Sequence, residues 1–151
     1  MNFKIGGTSD VYPNDLITNV QGLKKIVDCI QLNLFKSSDF SLLPTRIDIQ
    51  NLKEITAECG TEYTVHLPLD MNICSEDEAY RKESLQKIFY IYELTKEINP
   101  IGYIVHLERI DLLNEELWID NTFDSLDKIY REIPKNKLLI ENVSSYRSKF
   151  I

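Results

Sequence analysis

Three successive β-branched runs end in side chains that bind metals: "TVHLPLD" brings His66, "GYIVHL" brings His106 and "KLLIEN" brings Glu141. The histidines lie 40 residues apart and Glu141 follows 35 residues later, so each interval spans about one strand and one helix. In a parallel sheet such strand ends gather at one rim, where these folds build their active sites. Two neutral imidazoles and a carboxylate meeting there form a donor set for Zn, Mn or Fe. A divalent ion so held lowers the pKa of a water for hydrolysis or polarises a phosphoryl or carbonyl oxygen. A lone strand-end histidine is more often a packed core residue. These two are the only histidines in the chain, and they occupy equivalent places in consecutive repeats, which favours the metal.

Further polar groups cluster around the same strand ends. Asp70 and Glu108 follow the two histidines closely enough to orient an imidazole, act as a catalytic base or bind a second ion, or they are simply solvated loop carboxylates. The stretch "GGTSD" ends the first strand with Thr8, Ser9 and Asp10, hydroxyls and a carboxylate suited to a substrate oxygen or to capping a tight turn. It lacks both the dinucleotide-binding fingerprint and the lysine of a phosphate-binding loop. In "CIQLNLF", Gln31, Asn33 and Phe35 alternate with apolar residues, so one of the amides, with Gln31 the candidate substrate contact, should face the functional side. Arg81 lies near the start of a charged helix, where it could turn towards a phosphate. Trp118 falls in the connection after the fourth strand, as a loop anchor or a stacking surface.

The elements that must position these groups follow from periodicity. Five strands are expected, "NFKIGG" from Asn2, "CIQLNLF" from Cys29, "EYTVHL" from Glu62, "GYIVHL" from Gly102 and "KLLIEN" from Lys137, each close to continuously apolar as if covered on both faces. Four amphipathic helices alternate with them. The first begins near Pro13 and shows Leu16, Val20, Leu23 and Ile26 to the sheet; the second runs from Arg46 to Cys59 and stops at Gly60. The third is capped by Ser75, with Glu78 reaching back, and continues to about Ile98; the fourth spans Asn121 to Ile133 with Phe123, Leu126, Ile129 and Ile133 on its buried side. This α/β pattern fits either a doubly wound open sheet, favoured by the length, or the front part of a (β/α)8 barrel, which usually needs about 250 residues. The chain ends nine residues after Asn142, before a fifth covering helix is complete, which favours the partial barrel.

Composition narrows the partners. The 151 residues suffice for one domain, 1–151, with its own core, and no linker divides them. A net charge of −7 argues against nucleic acid, and the lack of a long uncharged apolar run argues against a membrane span. The three cysteines, Cys29, Cys59 and Cys74, form no C-x-x-C pair, which suits reduced, buried thiols in a cytoplasmic protein.

Taken together, "IGGTSDVYP", "IQLNLF", "LLPT", "TVHLPLD" with a Ser-capped acidic helix containing Arg81, "PIGYIVHLE" and "LLIEN" resemble the xylose isomerase-like barrel superfamily of sugar isomerases, epimerases and endonucleases. Within it they are most similar to the cobamide remodelling phosphodiesterase (CbiR) family. The resemblance covers almost the whole chain. It implies a (β/α)8 TIM barrel, present here as an N-terminal part of five strands and four helices, with a divalent metal on His66, His106 and Glu141. It also implies further ligands from strands six to eight and hydrolysis of the nucleotide-loop phosphoester of a corrinoid. The first alternative is a metal-dependent sugar or sugar-phosphate isomerase or epimerase; the second is a doubly wound binding module without catalysis. A small-molecule substrate and self-association through unpaired strand edges complete the expectations.

Overall fold

The structure is a computed structural model, and it describes residues 3–34, 43–108 and 114–141. Strands and helices alternate along the chain. They are β1 (Gly6–Thr8), α1 (Leu16–Leu23), β2 (Cys29–Asn33), α2 (Arg46–Cys59), β3 (Glu62–His66), α3 (Glu78–Thr95), β4 (Tyr103–His106), α4 (Glu115–Glu132) and β5 (Leu138–Glu141). All strand pairs are parallel, in the order β1-β2-β3-β4-β5. A doubly wound sheet would reverse direction at a switch point. This one does not, so the partial barrel of five strands and four helices expected from the sequence is what forms, and the open-sheet alternative is excluded.

The strands are not covered on both faces as their composition suggested. Ile30, Leu32, Tyr63, Val65, Tyr103 and Val105 are buried beneath the helices, whereas Gln31, Asn33, Thr64, His66, Ile104 and His106 on the alternate phase are only partly buried. The helices lie against one side alone, and the opposite side, the interior face of a barrel, carries the polar side chains.

Local chemistry decides where each element starts. Backbone pairing at β1 begins only at Gly6, opposite Cys29, four residues later than the run "NFKIGG" suggests. The reason is Asp28: its carboxylate accepts the Ile5 N–H at 2.8 Å while its own N–H donates to the Ile5 carbonyl, which occupies the segment ahead of the ladder. In α1 the carboxylate of Asp15 accepts from Thr18 N, so the helix opens at Leu16 rather than at Pro13. It ends at Leu23, which leaves Ile26 beyond the packed face and exposed. The second helix matches its expectation end to end. Thr45 and Asp48 form a reciprocal capping box, and Gly60 takes the left-handed φ of 73° that closes it. Asp77, not Ser75, caps α3 by accepting from Ala79 N and Tyr80 N, while the Ser75 hydroxyl accepts from Asp77 N one step earlier.

The fourth helix departs most from its sequence pattern. It starts at Glu115, capped by Asn114, so Trp118 belongs to its first turn and not to a loop. Phe123, expected inside, is 68% exposed. The buried stripe runs through Trp118, Thr122, Ser125, Leu126 and Ile129, and two of its polar members are satisfied internally. Thr122 Oγ1 donates to the Trp118 carbonyl and Ser125 Oγ to the Ile73 carbonyl, both at 2.6 Å. With about 100° between consecutive residues, Phe123 stands off that stripe. Cysteine expectations are also mixed: Cys74 is buried, its thiol pushed up to about 11 chiefly by burial, but Cys59 is exposed.

Ile129→Ala should cost about 2–5 kcal/mol of unfolding free energy through the cavity it leaves, whereas Phe123→Ala should stay within about 0.5 kcal/mol. Urea unfolding followed by circular dichroism checks both, and a large loss from Phe123→Ala would contradict the orientation of α4.

Candidate metal centre and active-site rim

His66, His106 and Glu141 are the last residues of β3, β4 and β5. His106 pairs in register with Glu141, while His66 pairs with Ile104, so the line of ligands climbs by one two-residue pleat between β3 and β4. All three lie on the strand phase opposite the helices, which aims them into the interior face at the carboxyl-terminal rim. The histidine side chains are 13% and 17% exposed and the glutamate 50%.

Their geometry is convergent. Nε2 of His66 is 3.2 Å, and Nε2 of His106 3.3 Å, from the same Oε2 of Glu141. The two imidazoles meet edge to face, with centroids 4.9 Å apart and planes at 86°. One ligand atom from each of the three residues lies within 4.8 Å of the others.

The protonation pattern tests whether these residues suit a cation. Nδ1 of His66 is 2.8 Å from the Leu67 carbonyl, which can only accept, so Nδ1 carries the proton. In the neutral ring, Nε2 then presents a lone pair to a carboxylate oxygen, an arrangement that repels unless positive charge lies between them. A second nitrogen faces the same oxygen from His106. One proton relieves a single gap, whereas one divalent cation serves all three donors. Donors bound to a common ion at about 2.0–2.2 Å stand roughly 3.0–3.5 Å apart, which the two N···O separations match. The donor types therefore suit Zn, Mn or Fe(II).

The neighbouring residues divide by role. Oε1 of Glu108 lies 4.0 Å from Nδ1 of His106, the counterpart of the backbone carbonyl behind His66. Asp70 occupies the β3–α3 loop, where its carbonyl accepts from the Tyr80 hydroxyl at 2.9 Å. Neither joins the three converging ligand atoms. Nη1 of Arg81 donates to the Ser75 carbonyl at 2.6 Å, and Nδ2 of Asn121 donates to the same oxygen. Arg81 thus braces the β3–α3 loop.

A second polar network joins the ends of β1 and β2. Thr8 pairs with Gln31, and Ser9 N donates to the Gln31 carbonyl at 2.9 Å. The Ser9 hydroxyl accepts from Asn33 N, Gln31 Nε2 donates to Asn33 Oδ1, and Asn33 Nδ2 donates to Asp10 Oδ1. Ser9 is buried within this clasp, and Asn33 stands in register beside His66. Phe35, Lys36 and Asn142 lie outside the described residues.

Sequence reasoning missed the groups that hold the β3–α3 loop: Asn72, whose N–H donates to the Ser84 hydroxyl, together with Ser84, Asn121 and Ser125. In the sequence Asn72 looks like a loop residue and the other three like ordinary solvated helix positions. Their one signal is their spacing on the helix stripes that carry buried apolar residues.

No protein-family model and no curated protein matches the chain. Solved structures do share its fold. A D-tagatose 3-epimerase-like protein is 22% identical with a TM-score of 0.77, covering 96% of this chain and 55% of its own. A 3-keto-D-glucoside 4-epimerase from E. coli is 18% identical with a TM-score of 0.73, covering 99% and 60%. Endonuclease IV from Thermus thermophilus is 12% identical with a TM-score of 0.65, covering 95% and 52%. The chain therefore spans little more than half the length of these neighbours, and its fold is that of part of a TIM barrel of the kind they share. No helix among the described residues is long and apolar enough to cross a membrane.

Replacing His66 or His106 by alanine should weaken Zn²⁺ or Mn²⁺ binding by more than the roughly 10–100-fold lost when a residue behind the ligands is removed, and Glu108→Gln should fall within that smaller range. Calorimetric titration measures both. Undiminished binding in the double histidine variant would remove the site.

Proposed function

We propose that this rim performs metal-dependent isomerisation or epimerisation of a sugar or sugar phosphate. The observation that carries the reading is the convergence of both histidine Nε2 atoms on one Glu141 oxygen at the carboxyl-terminal ends of adjacent parallel strands. The epimerases that share the fold support this reaction over corrinoid phosphodiester hydrolysis, the activity suggested by the sequence resemblance. On this reading residues 1–151 form a single domain equivalent to the N-terminal five strands of such a barrel.

His66, His106 and Glu141 would hold the ion. When bound, it polarises a substrate carbonyl and so acidifies the adjacent carbon–hydrogen bond. The chain's own groups then move the proton. Glu108 and Asp70, on the loops following β4 and β3, would take a proton from that carbon and return it. Gln31 and Thr8, paired in register on the same face of the sheet, would orient substrate hydroxyls, while Ser9 holds the turn behind them. The partner is a small molecule and the compartment the cytoplasm. The outer strands β1 and β5 offer edges on which further strands, from this polypeptide or a second copy, could pair.

Hydrolysis of a phosphodiester, including the cobamide nucleotide loop, is the second reading. Two histidines with a glutamate serve phosphoester chemistry equally well, and endonuclease IV shares the fold.

Incubating the Mn²⁺-loaded chain with D-tagatose or D-fructose in D₂O tests the choice by NMR. Deuterium should enter the carbon beside the carbonyl, with Glu108→Gln slowing entry by about 10²–10⁴-fold. Cleavage of a cobamide without any sugar exchange would transfer the assignment to the second reading.

A further inference from the structure

Beside the metal centre, the β3–α3 loop and the start of α4 enclose a cavity of about 320 Å³ lined by residues that include Asn72, Glu76, Tyr80, Glu108 and Trp118. We infer that this cavity is a subsite for the hydroxylated tail of an uncharged sugar and that it excludes phosphorylated substrates; the inference rests on the isomerase or epimerase reading above.

The cavity is built rather than incidental. Its floor is rigid because the loop is tied at five points: Asn72 N to Ser84 Oγ, the Ile73 carbonyl to Ser125, the Ser75 carbonyl to both Arg81 and Asn121, and the Asp70 carbonyl to Tyr80. Trp118 is locked by donating Nε1–H to the Glu108 carbonyl at 3.2 Å, which fixes one aromatic wall against the strand that carries His106. Asn72 is only 6% exposed; its Oδ1 is taken by Cys74 N, and its Nδ2 makes no hydrogen bond among the described residues. Asn72 lines the cavity, and Nδ2 is the donor it can offer to a ligand there.

The chemistry of the lining selects the ligand. Tyr80 and Trp118 offer flat apolar surface to the C–H face of a polyol. The carboxylates of Glu76 and Glu108 accept from hydroxyls, and Asn72 Nδ2 donates to one. Asp77, also in the lining, is already spent on the α3 cap. Arg81, the guanidinium on the first turn of α3, has Nη1 held on the Ser75 carbonyl and is not itself part of the lining. A phosphate dianion placed here would therefore meet the carboxylates of a lining that contains no lysine or arginine among the described residues, and like charges at such range disfavour it strongly. A neutral hydroxylated chain meets none of that repulsion.

Trp118 is the only tryptophan of the chain, so its fluorescence reports occupancy of this cavity apart from any turnover. The full chain, loaded with Mn²⁺, should be titrated with D-fructose and with D-fructose 6-phosphate. We expect a saturable Trp118 change, with the phosphorylated sugar at least about tenfold weaker. Glu76→Gln, a position outside the metal ligands, should narrow that gap to about threefold, as expected when one repelling charge is removed near a partly solvated site. Equal or tighter binding of the phosphate, or a gap untouched by Glu76→Gln, would overturn the subsite. Saturable, phosphate-discriminating fluorescence without deuterium exchange would keep the subsite and defeat the reaction. Exchange without any Trp118 response would do the reverse, and the absence of both would defeat the two together.

Discussion

Two imidazole nitrogens aimed at a single carboxylate oxygen form the constraint on which the rest of this structure turns. With the Leu67 carbonyl accepting from His66 Nδ1, the neutral ring turns an electron-pair donor, Nε2, towards Glu141. Donor facing donor is stable only around positive charge, and a divalent ion among the three converging ligand atoms supplies it for all of them at once. The arrangement thus suits a cation at this rim.

That convergence depends on backbone geometry well away from the ligands. A parallel sheet in sequential order puts the ends of β3, β4 and β5 side by side. The register steps by one full pleat between His66 and His106, and because that step is two residues both rings stay on the same face of the sheet. Shifting any register by one residue would turn a ligand from the interior face into the helix layer. The buried rows Tyr63–Val65 and Tyr103–Val105, packed under the helices, oppose such a slip because it would expose them. Hydrophobic packing on one face therefore holds the polar chemistry on the other.

The loops finish the task with buried polar contacts. Asn121 and Ser125 spend the inner face of α4 on carbonyls of the β3–α3 loop, at positions where apolar residues would have packed more simply. The result is a loop held in one shape beside His66, His106 and Glu141, with Tyr80, Trp118 and Glu108 presented around a cavity.

Much of this was readable from the chain. The β-branched runs, the helix from Arg46 to Cys59 with its stop at Gly60 and the recurrence of His66, His106 and Glu141 at strand ends are local patterns, and local patterns survive into the fold because they rest on backbone propensity and on the two periods of 2 and 3.6. What local pattern does not hold is where a side chain is aimed once elements meet. Phe123 is as apolar as Leu126, yet only packing decided that it faces outward. Ser75 and Asp77 are both good caps, and the loop geometry chose Asp77. Strand order was equally beyond the sequence, since doubly wound and barrel-type sheets share one βα alphabet and differ only in which strands become neighbours. The residue types that do chemistry were determined by the sequence alone; their meeting at one oxygen, and the cavity beside them, were decided by tertiary structure, because distances between residues 35 and 75 positions apart are set by register and packing and not by anything local to either.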